Sequence, residues 1–348
     1  MIKWEIFAEK YLAQARSSSG LSVTRREIGN EYFSMKKLFY LWLLLTPVAI
    51  FAQNYLAEFP FQQQTKYFDF HFKQNPERIK AIARFADDFI NVVNQDFFKA
   101  DFDYPIRVLV LPDRASFQSF LRQQFSITEP PNYGIFLYRY NLFATYADSG
   151  LGTFAHEIMH PLIEHNLKDR PVWAIEGIPT FFEKFYGYWN DDKLVVQWGF
   201  QNPWRIQMLG TNLTQLDLKA ILATTETPGP YRESDRRLVS VFLWEQDKFK
   251  DFLQLIKQKD KKGFDSYFEA AMQMPVERII PLWQDYLNKV EAGRNEIFRL
   301  PPSTVSQDES AFNSFVQVYQ IPLARKKLPA GKLYPSMAAT NNSTVPLK

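Results

Sequence analysis

The chain of 348 residues contains no cysteine. That excludes disulfides, a thiol nucleophile, cysteine zinc ligands and a lipid-modified cysteine. Histidine is nearly as scarce: His71, His156, His160 and His165 are the only four. The sequence also lacks an apolar run of the roughly 20 residues that a membrane-spanning helix needs. Its best candidate, Leu38 to Ala52, has 15 positions and is interrupted by Thr46 and Pro47. Charge of one sign is missing as well. Of the 41 basic and 38 acidic side chains, seven and four lie within the first 52 residues, which leaves 34 of each in the remainder. The formal net charge of +3 therefore carries no message about nucleic acid, and no basic tract or nucleic-acid motif replaces it. No internal repeat is evident.

Apolar residues make up 46% of the chain, enough to pack a sizeable core, so a globular protein is expected. Met35-Lys36-Lys37 followed by the run to Ala52 has the layout of a secretory signal peptide (residues 35–52) with cleavage after Ala52. An exported protein, periplasmic or extracellular, is the expectation, with no stable membrane span once the leader is removed. A membrane anchor is the alternative if it is not. Residues 1–34 precede a better start at Met35 and read as an overextended or disordered N-terminus. At the other end, 301–348 is rich in Pro, Ser, Asn, Lys and Ala and reads as a loosely ordered tail, in which Phe312, Phe315, Val316 and Tyr319 offer one piece able to dock.

Between these ends the patterning changes character. Thr65 to Phe72 alternates aromatic and polar residues as a half-buried strand does, and Pro76 opens a helix whose apolar positions, Ile79 to Val93, recur at helical spacing. Residues 105–111 predict a second strand, 114–123 a short helix, and 133–146 a third extended stretch with alternating aromatics. From there the pattern predicts helices almost throughout: 153–166, 172–186, 202–208, 216–223, 231–247, 248–258, 264–272 and 275–292. Sheet and helix first, then helices, predicts an α+β fold in two lobes: an α/β lobe at 53–152 and a helical lobe at 153–300, with a substrate cleft between them.

Two of the four histidines fall in Thr153-Phe154-Ala155-His156-Glu157-Ile158-Met159-His160. On a helix, positions four apart share a face, so both imidazoles can reach one metal ion while Glu157 stands beside them as a general base. The string lies on a predicted helix after a glycine turn, and a second predicted helix follows Pro171 carrying Trp173-Ala174-Ile175-Glu176-Gly177. Two neutral imidazoles and one carboxylate would bind one zinc ion and leave a position for water, with Glu176 as the third ligand. Glu157 would take that water's proton during attack on a carbonyl and deliver it to the leaving amine. His71 and His165 lie outside this motif and read as structural. If 133–146 includes an edge strand, a peptide substrate could pair with it through the backbone.

These motifs resemble the gluzincin metallopeptidases, the group of thermolysin and aminopeptidase N, and especially the peptidase MA-like branch. The likeness spans about residues 65–292. It implies a thermolysin-like two-lobed fold and Glu176 as third zinc ligand. The interval from His160 is shorter than in thermolysin or aminopeptidase N, which leaves Glu183 as an alternative. Pro230-Tyr231-Arg232-Glu233-Ser234 resembles the aminopeptidase segment whose tyrosine stabilises an oxyanion, and so implies that role for Tyr231. The acidic group that holds a free amino terminus in aminopeptidase N has no counterpart. The expectation is an exported zinc metallopeptidase; the rival is a non-catalytic envelope binding or assembly module on the same fold.

Overall fold

The computed structural model describes residues 54–74, 76–99, 105–191, 193–211, 213–225, 232–319 and 334–335. The leader-like residues 35–52, the segment before them and Tyr231 lie outside the described residues. The chain divides into two compact units, Met1–Ala57 and Glu58–Lys348. Of the first, only the start of a short 3-10 turn, Asn54–Glu58, is described.

The second unit is a mixed α/β structure with two small sheets. The first sheet contains β1 (Phe61–Gln64), β2 (Phe68–Phe72), β3 (Ile106–Leu111), β4 (Gly134–Leu137) and β5 (Leu142–Tyr146), in the order β1-β2-β3-β5-β4. Strands β2, β3 and β5 run parallel, while β1 and β4 pair antiparallel at the two edges. Central β3, Ile-Arg-Val-Leu-Val-Leu, is buried at all positions but Arg107, as a strand covered on both faces must be. Helix α1 (Pro76–Val93) makes the crossover between β2 and β3. Its apolar stripe, including Phe85 and Phe89 at 5.2 Å, lies fully in the core. Each such ring contributes about 1.5–3 kcal/mol by leaving water. Helix α2 (Arg114–Phe125) is capped by Asp113, whose carboxylate accepts from the Ser116 N–H at 2.8 Å.

The stretch expected as one extended segment, 133–146, is a hairpin. A 3-10 turn at Tyr138–Tyr140 and left-handed Asn141 (φ 45°) reverse the chain between β4 and β5, pairing Phe136 with Phe143. Helices α3 (Leu151–Asn166) and α4 (Val172–Phe182) follow, then α5 (Pro203–Leu209), α6 (Leu218–Leu222), α7 (Glu233–Glu245), α8 (Phe249–Gln258), α9 (Tyr267–Met272), α10 (Val276–Ala292) and the single turn α11 (Arg294–Ile297).

The all-helical expectation beyond 153 requires correction. Helix α4 stops at Phe182, and β6 (Tyr186–Asn190) and β7 (Lys193–Gln197) form a second hairpin. Two later segments complete that sheet. Strand β8 (Thr304–Ser306) runs parallel to β6, and β9 (Tyr334–Pro335) pairs antiparallel with β7. Residues read as loose tail are thus partly fastened. The Pro301 carbonyl accepts from Lys184 Nζ and, at 2.9 Å, from the Tyr186 hydroxyl. Helix α12 (Glu309–Tyr319) buries Phe312 at 5.1 Å from the Tyr188 ring. The side chains of Phe315, Val316 and Tyr319 lie outside the described residues.

One continuous hydrophobic core joins the first sheet to the helices, from Phe68 and Val108 through Ile158 and Phe181 to Phe242 and Leu287. Among the described residues, no helix is long and apolar enough to cross a membrane.

Candidate metal centre

Helix α3 starts at Gly150, whose φ of 90° few side-chain-bearing residues adopt. Two positions on, a Cβ at Gly152 would stand 2.7 Å from the Glu183 carbonyl, so the helix enters against the end of α4. Every residue from Phe154 to Ile163 is buried. His156, Glu157 and His160 are therefore buried, and the two imidazole centroids lie 5.0 Å apart on one face. Pro161 follows directly. Lacking an N–H, it gives no helical bond to the Glu157 carbonyl.

Helix α4 brings the third side chain. Trp173 is buried and stacked on Phe252 at 5.1 Å, and a Cβ at Gly177 would stand 3.0 Å from the Arg236 carbonyl of α7. The tryptophan anchors the helix and the glycine lets α7 approach. Between them Glu176 points at the histidines: its Oε2 is 3.5 Å from His156 Nε2 and 3.8 Å from His160 Nε2. One ligand atom from each of the three residues lies within 4.8 Å of the others, which brings together the expected triad.

Glu183, the alternative carboxylate, occupies a different place. Its Oε2 is 3.3 Å from His156 Nδ1, within ion-pair distance but without hydrogen-bond alignment, on the other nitrogen of the ring. Arg205 of α5 grips it in a fork, Nε to Oε1 at 2.8 Å and Nη2 to Oε2 at 2.7 Å, and Asn202 donates to Oε1 at 2.6 Å. Arg205 Nη1 reaches Glu233 at 2.5 Å. A carboxylate so engaged orients a ligand from behind.

His160 is held from the opposite side. Its Nδ1 lies 2.8 Å from the Tyr138 hydroxyl, and Phe136 stacks on its ring at 6.3 Å. Glu157 also meets this strand, since the Phe136 N–H donates to its carboxylate. Strand and helix come this close because a glycine stands at position 134: a Cβ there would be 2.8 Å from Thr153 Cγ2 and 3.1 Å from Glu157 Cγ.

The electrostatics separate the carboxylates. Burial pushes Glu157 up to about 8, with His156 opposing and Glu176 and Glu233 adding repulsion. Burial works against ionisation of Glu176 too, but His160 and His156 outweigh it and hold that group at about 2. Glu183 is likewise buried, and Arg205 holds it far below the usual carboxylate range. Of the imidazoles, His160 is pushed down to about 4 by burial, which overcomes the pull of Glu176. His156 goes the other way, because Glu176 and Glu183 outweigh burial.

The donor set fits a divalent metal. Two imidazole Nε2 atoms and an ionised carboxylate face one another, and the Nδ1 atom of each ring lies against a separate partner. A cleft of about 570 Å³ opens beside His156 and Glu157, lined also by Tyr133, Gly134, Thr153, Trp204, Arg205 and Glu233. Tyr133 and Trp204 meet edge-on at 5.9 Å.

Elsewhere, His71 Nε2 lies 2.9 Å from Asp69 on β2, and His165 is exposed in the last turn of α3. Sequence reasoning missed Tyr138 and Arg205. Tyr138 lies within the extended aromatic stretch 133–146 with no spacing that ties it to His160, and nothing in the sequence marks Arg205. No family model matches this chain, and no curated protein matches it.

Proposed function

We propose that this chain is a zinc-dependent metallopeptidase of the two-lobed, thermolysin-like kind, acting on peptide or protein substrates outside the cytoplasm. The observation that carries the reading is the convergence of His156, His160 and Glu176 beside Glu157, a buried carboxyl that is not part of the triad. Two histidines and a carboxylate are the donor set of many catalytic zinc sites, and zinc held there supplies the Lewis acidity that makes water a nucleophile at neutral pH.

The chain's own groups supply the rest. Glu157, buried beside the triad without belonging to it, is placed to accept a proton and return it to a leaving nitrogen. Strand β4 is the edge of its sheet, with β5 as its partner on one side only. An extended peptide laid along its free side would gain main-chain hydrogen bonds and pass over Glu157. Arg205 and Glu183 back His156 from behind. Export rests on the leader-like residues 35–52 and the zinc-peptidase kinship on the motifs around His156 and Glu176.

The test is zinc content and peptide-library cleavage by the purified protein and by Glu157→Gln. One zinc per chain and cleavage that falls at least about a hundredfold in the variant are expected. Absence of zinc, or equal cleavage by the two proteins, would refute the reading.

A further inference from the structure

Tyr138 stands outside the triad, and 46% of its surface is exposed, yet its hydroxyl lies 2.8 Å from Nδ1 of a buried histidine. It begins the turn that directly follows β4. Phe136, two residues earlier on the strand, is nearly parallel to the same imidazole (21°) and meets the Tyr138 ring edge-on at 5.1 Å. The His160 ring is thus flanked by two side chains of one edge strand and its turn. Its other nitrogen, Nε2, faces Glu176 at 3.8 Å. An imidazole that ligates through Nε2 carries its proton on Nδ1, and that proton needs an acceptor. Among the described contacts of Nδ1, the acceptor is the Tyr138 oxygen.

We propose that Tyr138 is a positioning residue for the metal: by accepting the Nδ1–H of His160 it fixes the tautomer and rotation of that ring from the edge strand. The proposal rests on the metallopeptidase reading of the site. It makes metal affinity depend on a residue of the turn that follows the peptide-pairing strand and that is not itself one of the three ligands.

The experiment compares the full chain with Tyr138→Phe, which keeps the ring and its contact with Phe136 and removes only the hydroxyl. Zinc affinity is measured by competition with a chelator, and thermal unfolding of the metal-free proteins checks the fold. With only four histidines, imidazole nitrogen NMR can follow each ring. The expected result is zinc binding weaker by about 10–100-fold and a His160 signal displaced from its wild-type position in the zinc-loaded protein. His71 and His165 signals should stay in place, and the metal-free unfolding midpoint should lie within about 3 °C of wild type. Zinc binding within about twofold of wild type together with unchanged His160 signals overturns the proposal. If wild type itself binds no zinc, the metal reading falls and takes this proposal with it. If both proteins bind zinc with the expected difference but neither cleaves peptides, the positioning role stands and the peptidase reading fails.

Discussion

His156 and His160 sit one turn apart on the same helix, yet the strand side and the helical side of the site hold them by opposite means. On the helical side, His156 is backed by Glu183, itself clamped by Arg205 and Asn202 in a buried, charged network. On the strand side, His160 is backed by a single neutral hydroxyl on a half-exposed turn. The first arrangement is stiff and costly to disturb, because a buried charge left alone carries its full desolvation penalty. The second is cheap and adjustable. One histidine is therefore fixed by the core, and the other is met by the turn that follows an edge strand.

The largest expected effect breaks the helical side. Arg205→Met leaves Glu183 buried without its partner and should cost about 3–5 kcal/mol in denaturant unfolding; a loss under about 1 kcal/mol would put both sides on the same footing. Acid should reveal the same asymmetry. The folded state holds Glu183 far below its ordinary value of 4.5, so its contribution is fully present above that value and fades as pH falls below it. The stability gap between wild type and Glu183→Gln should therefore narrow as pH drops from about 6 to about 3. Between wild type and Tyr138→Phe no such narrowing is expected, because burial raises the tyrosine's ionisation further above neutrality. A gap between wild type and Glu183→Gln that is constant in acid would argue against the charged network.

Next in size is Gly177→Ala. The new Cβ would press on the Arg236 carbonyl and the Trp173 ring, both at about 3.0 Å, and overpacking of this kind costs about 1–3 kcal/mol. Calorimetry would read it as a lowered midpoint with the metal-free fold retained. The smallest effect belongs to Tyr138→Phe, less than about 1 kcal/mol on metal-free stability, since one half-exposed hydrogen bond is removed and no charge is stranded. A larger loss there would mean that the strand side carries the fold and not only the orientation of His160.

Much of this was legible in the sequence where local pattern and tertiary demand agree. Helix α1 announced itself by Pro76 and the stripe from Ile79 to Val93, and α3 by the glycine turn before it. The second sheet was hidden. Its hairpin lies in Phe185-Tyr186-Gly187-Tyr188-Trp189 and Leu194-Val195-Val196, aromatic and β-branched runs around Asn190-Asp191, which is a strand signal that the preceding helix of similar hydrophobicity obscured. Its outer strands come from residues 304–306 and 334–335, and no local pattern can announce partners more than a hundred positions away. At the site, the histidines and Glu176 carry a spacing, whereas Tyr138 and Arg205 reach it through a hairpin and a separate helix. The two glutamates illustrate the limit best. Spacing left Glu176 and Glu183 as rivals, and geometry gives them different nitrogens of the same ring.

Ser303 accepts from the Phe185 N–H at 3.3 Å and donates to the Glu183 carbonyl at 2.7 Å, and Leu300, Pro302 and Ser303 line the cleft beside His156. During synthesis the histidine helix leaves the ribosome well over a hundred residues before that serine does. The cleft's last wall is thus also its latest in the chain: the candidate triad lies entirely upstream of the segment that closes the rim beside it.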